Sequence, residues 1–275
     1  MKTDLKNSKS HLAGLSARER NILSTLMLTN SKVLFTSVVS ERLGLQSEET
    51  NKILSRLAKK GWLNRIKRGA YIFVPIESSS VDPFPEEVWQ IAMDVFKPCY
   101  LSGWTSAEHW DLTEQIFNTV MVFTSAPQRK SNHKIAGINY KTRQVNENRL
   151  FGIKQVWINN NQILIADIHK TVVDILDAPE IGGGGQHSLK VAKNYWTSSN
   201  VDTELILSYA DIIKRGTLYK RIGYSAEKYG NVTDDWLDLI KSKISRGISN
   251  FDSGGSKKGK IDLKWSLRIN VPNLE

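Results

Sequence analysis

The pattern that most narrows the fold is a series of three amphipathic helical segments followed by a hairpin, all inside residues 1–80. The hairpin lies in "GWLNRIKRGAYIFVP", Gly61 to Pro75. Two runs of strand-forming residues, Trp62 to Ile66 and Ala70 to Val74, are separated by Lys67, Arg68 and Gly69. A tight turn therefore carries two adjacent positive charges at its tip.

The helices before it announce themselves by their ends. "SARERNIL" places Glu19 three residues after Ser16, a capping box that satisfies two backbone amides left unpaired at a helix start. Ile22, Leu23, Leu26 and Leu28 follow as its apolar face. After the polar break "TNSK", a short helix is predicted over "TSVVSERL", with Val38, Val39 and Leu43 facing inward and Gly44 as its stop. The third helix is predicted from Ser47, whose hydroxyl suits a cap, to Lys60. Glu48 and Glu49 complement the positive end of its dipole. Ile53, Leu54, Leu57 and Ala58 gather on one side of this helix at helical spacing, while Glu48, Lys52, Ser55, Arg56 and Lys59 occupy the other and Asn51 lies on the flank.

Three helices and a hairpin in that order predict a winged helix-turn-helix domain. Its third helix enters the major groove of duplex DNA and its hairpin rests on adjacent backbone. The expected contacts are Ser47, Asn51, Lys52, Ser55, Arg56 and Lys59 on the helix, with Arg65, Lys67 and Arg68 on the wing. Charge supports this reading. The 275 residues carry a formal charge of +10, and residues 1–80 hold 14 Lys+Arg against 6 Asp+Glu. Basic character is concentrated in the first third, which suits an anionic partner there.

"PIESSSVDPFPEE" has the composition of a linker, so a boundary is expected at about residues 76–84, between domains 1–80 and 85–275. The second domain mixes both element types. "EEVWQIAMDVF" and "TSAEHW" read as helices, and "NTVMVFTS", "INYKTRQV" and "KQVWIN" as strands. "QILIADIHKTVVDILDAP" reads as a buried strand running into a helix capped by Asp167. Four helical segments follow "GGGG", Gly182 to Gly185. From Ile261 to Val271 apolar and polar residues alternate, which predicts one strand with one buried face. The fold class is thus mixed α+β: a winged helix-turn-helix domain, then a larger sheet-and-helix domain.

No apolar run is long enough to span a membrane and the first residues lack a secretory pattern, so a soluble cytoplasmic protein is expected. The single Cys99 allows no internal disulfide. "ADIHKTVVDILD" concentrates Asp167, His169, Lys170, Asp174 and Asp177, a set that includes the two carboxylates a metal-dependent nuclease would use, Asp167 and Asp174. Each has a plainer role, Asp167 as a helix cap and Asp174 as the partner of Lys170 one turn away. The glycine run is followed by no Gly-Lys-Ser/Thr and reads as a mobile loop. The tryptophans are scattered over many elements and read as core. No catalytic residue, metal site or cofactor is expected.

The succession "RIKRGAYIFVP", "YLSGWTSAEHWDL", "LFGIKQVWI", "ILIADIHKTVVDILDAPEIGGG", "LILSYADI", "KRIGYSAEKYG" and "KWSLRIN" resembles the AbiEi family of antitoxins over nearly the whole chain. The resemblance implies an antitoxin of a type IV toxin-antitoxin (abortive infection) system. Its amino-terminal winged helix would bind an inverted-repeat operator in its own promoter, as a transcriptional repressor acting in autoregulation. Its larger domain would counter a nucleotidyltransferase-like toxin without need of a stable complex. Two copies on a repeated operator are expected, because one winged helix reads only a short half-site. Two other readings stay open: a winged-helix transcription factor whose second domain senses a small ligand, and the nuclease.

Overall fold

The structure, a computed structural model, describes residues 14–28, 32–74, 85–158 and 161–272. The chain is mixed α/β, with ten α-helices and three sheets among the described residues. No helix among them is long and apolar enough to cross a membrane. Two compact units are formed, one by residues up to Val95 with Lys134–Ile138, the other by Phe96–His133 and Asn139 onward. The expected linker at 76–84 lies outside the described residues, and the division falls at the end of a helix, between Val95 and Phe96.

In the first unit, α1 (Ala17–Met27) is followed by β1 (Val33–Phe35), α2 (Thr36–Leu43), α3 (Ser47–Lys59), β2 (Leu63–Lys67) and β3 (Ala70–Phe73). These strands make an antiparallel sheet in the order β1-β3-β2. The third strand, β1, goes beyond the expected two-stranded hairpin, since three residues are too few to show alternation in sequence. The capping box forms: the Ser16 amide donates to Glu19 Oε2 at 2.8 Å, and Ser16 Oγ accepts from the Glu19 amide at 3.3 Å. Gly44 ends α2 in the left-handed region at φ 62°, a conformation that costs a residue without a Cβ little. Ile22, Leu26, Val39, Leu54, Leu57 and Tyr71 share the core.

Three local expectations are corrected. Gln46, not Ser47, is the N-cap of α3, and Ser47 is its first helical residue. Gly44 closes α2 so late that only Leu45 and Gln46 remain for the connection. Val38 is exposed and Thr36 is buried in its stead, since α2 starts on the residue that leaves β1. Leu28 lies beyond the end of α1 and is exposed.

α4 (Pro85–Phe96) leads to the second unit. After it come β4 (Cys99–Leu101), α5 (Gly103–His109), β5 (Thr119–Thr124), β6 (Asn132–Ile135), β7 (Ile138–Gln144), β8 (Ile153–Ile158), β9 (Asn161–Ala166) and α6 (Ile168–Asp177), all in the second unit except Lys134–Ile138 of β6 and β7. The sheet order is β6-β7-β5-β4-β9-β8, mixed in direction: β4 runs antiparallel to β5 and parallel to β9. Helices α7 (Gly185–Trp196), α8 (Thr203–Ile213), α9 (Gly216–Tyr229) and α10 (Asp234–Ser242) pack with α6 around Ile175, Leu189, Tyr195, Ile206 and Ile222.

The tail departs from its pattern. It is not one strand but a hairpin, β11 (Lys260–Asp262) and β12 (Leu267–Ile269), turned through Ser266 at φ 48° and joined by the short β10 (Ser249–Asn250) in a separate sheet. Leu263 consequently lies 84% exposed in the turn, whereas Trp265 is fully buried. The Trp265 ring lies so close to α9 that a Cβ on Gly223 would come within 2.1 Å of it, and its Nε1 donates to Glu227 at 2.6 Å. The glycine run is likewise a packed corner and not a mobile loop. Gly184 sits at φ 97° ahead of α7, the Gly185 amide donates to Asp252 Oδ2 at 2.7 Å, and a Cβ on Gly185 would meet Asp252 and Val271 at 2.6 Å. Trp104, Trp196 and Trp265 are core, Trp62, Trp110 and Trp236 pack half-buried against it, and Trp157 on β8 is exposed.

The Glu19 carboxylate accepts from Lys60 Nζ at 2.7 Å as well as from the Ser16 amide. The Lys60 bond first, and the amide second, hold its pKa down to about 2. A carboxyl whose folded pKa lies below its unfolded value stabilises the fold above the unfolded pKa, and that contribution is lost as pH falls through the folded one. Glu19→Gln should therefore lower the unfolding midpoint near neutral pH. The gap from wild type should close as pH falls from about 4.5 towards 2, as read by denaturant unfolding at a series of pH values.

Candidate functional site

Two places carry the residues singled out in the sequence, one in each unit. In the first, α3 turns Ile53, Leu54 and Leu57 into the core and leaves Ser47, Glu48, Asn51, Lys52, Arg56 and Lys59 exposed. The side chains of Lys52, Arg56 and Lys59 make no hydrogen bond or ion pair to a described residue. An exposed cation without a local partner keeps its full field for a ligand. Ser55 differs from its neighbours. It is half-buried, and its hydroxyl lies 3.2 Å from that of Tyr71 on β3, so it ties the helix to the sheet.

The turn between β2 and β3 is made by Arg68 and Gly69, flanked by the pair Lys67–Ala70. Gly69 takes φ 73°, in the left-handed region that a residue without a Cβ enters at little cost. The register shifts between Arg65 and Lys67, an irregularity of the bulge kind that increases local twist. Arg65, Lys67 and Arg68 are exposed. Arg65 lies 6.0 Å above the Tyr71 ring. Lys67 is folded back over Phe35 at 5.5 Å with its ammonium 3.3 Å from the Val95 carbonyl, leaving Arg68 as the cation of the tip without a described partner.

Thr36, which the sequence reading passed over, joins these parts. Its amide donates to the Gly69 carbonyl at 2.8 Å, and its hydroxyl lies 3.0 Å from Asn51 Oδ1 and 3.3 Å from the same carbonyl. The turn, the start of α2 and the flank of α3 are thereby pinned to one residue. With its oxygen held by Thr36, Asn51 keeps its amide nitrogen for another acceptor. The signal in the sequence was a threonine placed directly after the apolar "VLF".

In the second unit, α6 places Lys170, Asp174 and Asp177 on one face. Asp167 caps the helix, accepting from the Lys170 amide at 2.7 Å, and its other oxygen accepts from the Tyr209 hydroxyl at 2.6 Å. Asp174 is fully buried. It accepts from Lys170 Nζ, from Ser102 at 2.8 Å, from Tyr100 at 3.2 Å and from Arg149 at 2.9 Å. Burial, first, pushes the Lys170 pKa down, against the pull of Asp174, and the ammonium also lies over the rings of Phe151, Tyr100 and Phe123. Both carboxylates of the nuclease reading are thus engaged by the protein itself. No group of three or more His, Cys, Asp or Glu residues able to hold a metal occurs among the described residues.

The histidines in this unit have local partners as well. His169 Nδ1 lies 2.8 Å from the Tyr195 hydroxyl, and His187 bridges Thr113 and the Gly182 carbonyl. Burial lowers the pKa of each. Such rings are neutral over much of the physiological range and serve the packing of their helices.

Neither a scan against protein-family models nor a search of curated proteins finds a match to this chain. Among solved structures, the chain is similar to the crystal structure of the RV2827C protein from Mycobacterium tuberculosis. The identity is 14%, 94% of each chain is covered and the TM-score is 0.60. The arrangement of elements is therefore shared with that protein across nearly the full length of both, and the likeness is one of fold.

Proposed function

We propose that the first unit is a winged helix-turn-helix that binds duplex DNA, and that the chain is a transcriptional repressor of its own operon and the antitoxin of a toxin-antitoxin pair. The observation that carries the DNA half is the set of exposed cations on two elements fixed to one another: Lys52, Arg56 and Lys59 on α3, and Arg68 on the β2-β3 turn, with Thr36 bonded to both. A helix of 13 residues with a charged outer face fits the major groove. A cationic hairpin beside it fits the flanking phosphates, where each neutralised charge releases counterions.

Within this reading Arg56 and Asn51 read base edges: an arginine fork matches guanine, and an amide matches adenine. Lys52, Lys59, Arg65 and Arg68 hold the backbone. Ser47 lies in the first turn of α3, where its hydroxyl and amide suit a phosphate. Ser55 and Lys67 act on the helix and wing from within, through Tyr71 and through Phe35 with the Val95 carbonyl. Two copies on an inverted repeat supply the length of sequence that one α3 lacks.

The antitoxin half rests on the order of motifs along the sequence. In it the second unit opposes a nucleotidyltransferase-like toxin in the cytoplasm, without catalysis of its own.

A gel-shift titration on the DNA upstream of the coding region, against scrambled DNA and at two salt concentrations, tests the DNA half. Specific, salt-sensitive shifts are expected, and binding indifferent to sequence would reduce the unit to a general anchor. Replacing Arg65 and Arg68 together should weaken binding to all sequences alike and reduce the salt slope by up to about two phosphate contacts. Arg56→Ala should cost roughly 1–3 kcal/mol on the operator and less on random DNA. Equal behaviour of the two variants would refute this division of roles. Co-expression with the neighbouring toxin tests the antitoxin half: growth restored by the full chain supports it, and unrelieved toxicity counts against it.

A further inference from the structure

Around the C-terminal end of α6 the second unit gathers more guanidinium donors than it has acceptors for. Asp177, whose side chain is only 2% exposed, receives three arginines. Arg149 Nη1 lies 3.2 Å away, Arg215 Nη1 lies 3.2 and 3.3 Å from its two oxygens, and Arg143 Nη2 stands off at 3.9 Å. Arg143 bonds instead to Glu180 at 2.9 Å, and Arg149 also reaches Asp174. A fourth, Arg221, spends its nitrogens on the carbonyls of Leu176, Asp177 and Asn250.

The charges do not balance. Arg143, Arg149, Lys170, Arg215 and Arg221 face Asp174, Asp177 and Glu180. A fourth carboxylate, Asp252, bears on Arg221, so five cations meet four carboxylates. Donors are in larger surplus than charge. Each guanidinium offers five N–H groups. Of those on Arg149, two are spent on Asp174 and Asp177, while its Nε is buried without a partner, as is that of Arg221. Burial, the largest cause, pushes the Arg221 pKa down to about 10. Arg143 and Arg215, which are the more exposed, hydrogen-bond through Nη1 alone, and an anion with several oxygens suits the N–H groups they leave over.

The cluster is open on one side. Side-chain exposure rises from 12% at Arg149 to 24% at Arg143 and 57% at Arg215, so a ligand meets Arg215 and Arg143 first and Arg149 at the back. The three come from separate elements: β7, the 3-10 turn Glu147–Arg149, and the N-cap of α9. We propose that Arg143, Arg149 and Arg215, held apart by Asp177, form a binding site for a phosphate group carried by a small molecule or free in solution. Phosphate matches the planar forks with paired oxygens, and its terminal oxygens take up N–H groups that Asp177 and Glu180 leave unbonded. The proposal is independent of DNA binding by the first unit.

The test is thermal unfolding of the full chain titrated with orthophosphate, pyrophosphate and adenosine monophosphate, each against sodium chloride at matched ionic strength. A ligand that binds only the folded state raises the midpoint along a saturation curve set by its affinity. The expected result is a saturable rise with at least one of the three; which one identifies the source of the group. Arg215→Gln, an exposed change, should fold normally by circular dichroism and weaken the apparent affinity about tenfold or more, as should Arg143→Gln. Arg56→Ala with Arg68→Ala, in the first unit, should leave the rise intact. No saturable rise with any probe would overturn the proposal. A rise that survives both second-unit variants, or one abolished by the first-unit pair, would overturn it equally.

Discussion

Asp174 is a carboxylate with no access to water, and the second unit is arranged so that it does not need any. A charge taken out of water costs several kcal/mol unless partners replace what it leaves behind. Here they are Lys170 from the preceding turn, Arg149 from a 3-10 turn, and the hydroxyls of Tyr100 and Ser102 at β4. Those partners sit on three separate stretches of chain. The helix at the centre of the unit, the middle of the sheet and the connection after β7 must all be in place before Asp174 is satisfied. A pair of this kind adds little net stability but penalises every arrangement that leaves one member alone. The apolar core around Ile175 and Ile222 supplies the burial, and the carboxylate specifies which packing is accepted.

Thr36 does comparable work in the first unit at smaller scale. Its backbone and side chain reach the β2-β3 turn and α3, so the two elements that carry the exposed cations are positioned by one residue. Ser55 and Tyr71 make a second tie between the same helix and sheet. The exposed face of α3 is thus backed by apolar packing at Leu54 and Leu57 and by hydrogen bonds at its flank.

What was legible in the sequence follows from how local each signal is. The capping box at Ser16 and Glu19, the Asp167 cap, the stop at Gly44 and the Lys170–Asp174 pair are all set within four residues, and each is present. The longer strands β5, β7, β8 and β9, rich in strand-forming residues and bounded by polar turns, were likewise readable. Failures came where distant residues decide. The alternation from Ile261 to Val271 predicts one strand, but Trp265 is drawn to Gly223 on α9 and the chain turns to deliver it. The glycine run looked loose because nothing nearby shows that Asp252 and Val271 crowd against it. The arginines that meet at Asp177 lie at 143, 149 and 215, a spacing with no periodicity to notice. Exposed positions on α3 could be read from the helical wheel, whereas the partners of Ser55 and Lys67 could not.

The contact between Trp265 and Gly223 also bears on the order of events as the chain leaves the ribosome. α9 has a groove at Gly223 that this indole fills, and the indole comes more than forty residues later. Until then the face of α9 at Gly223 lacks its cover. The helices around α6 can collapse early, but the last wall of their core arrives only with the hairpin. A nascent chain halted between these two points would hold a nearly complete unit with an open seam, the state in which a chaperone or a protease has most to grasp.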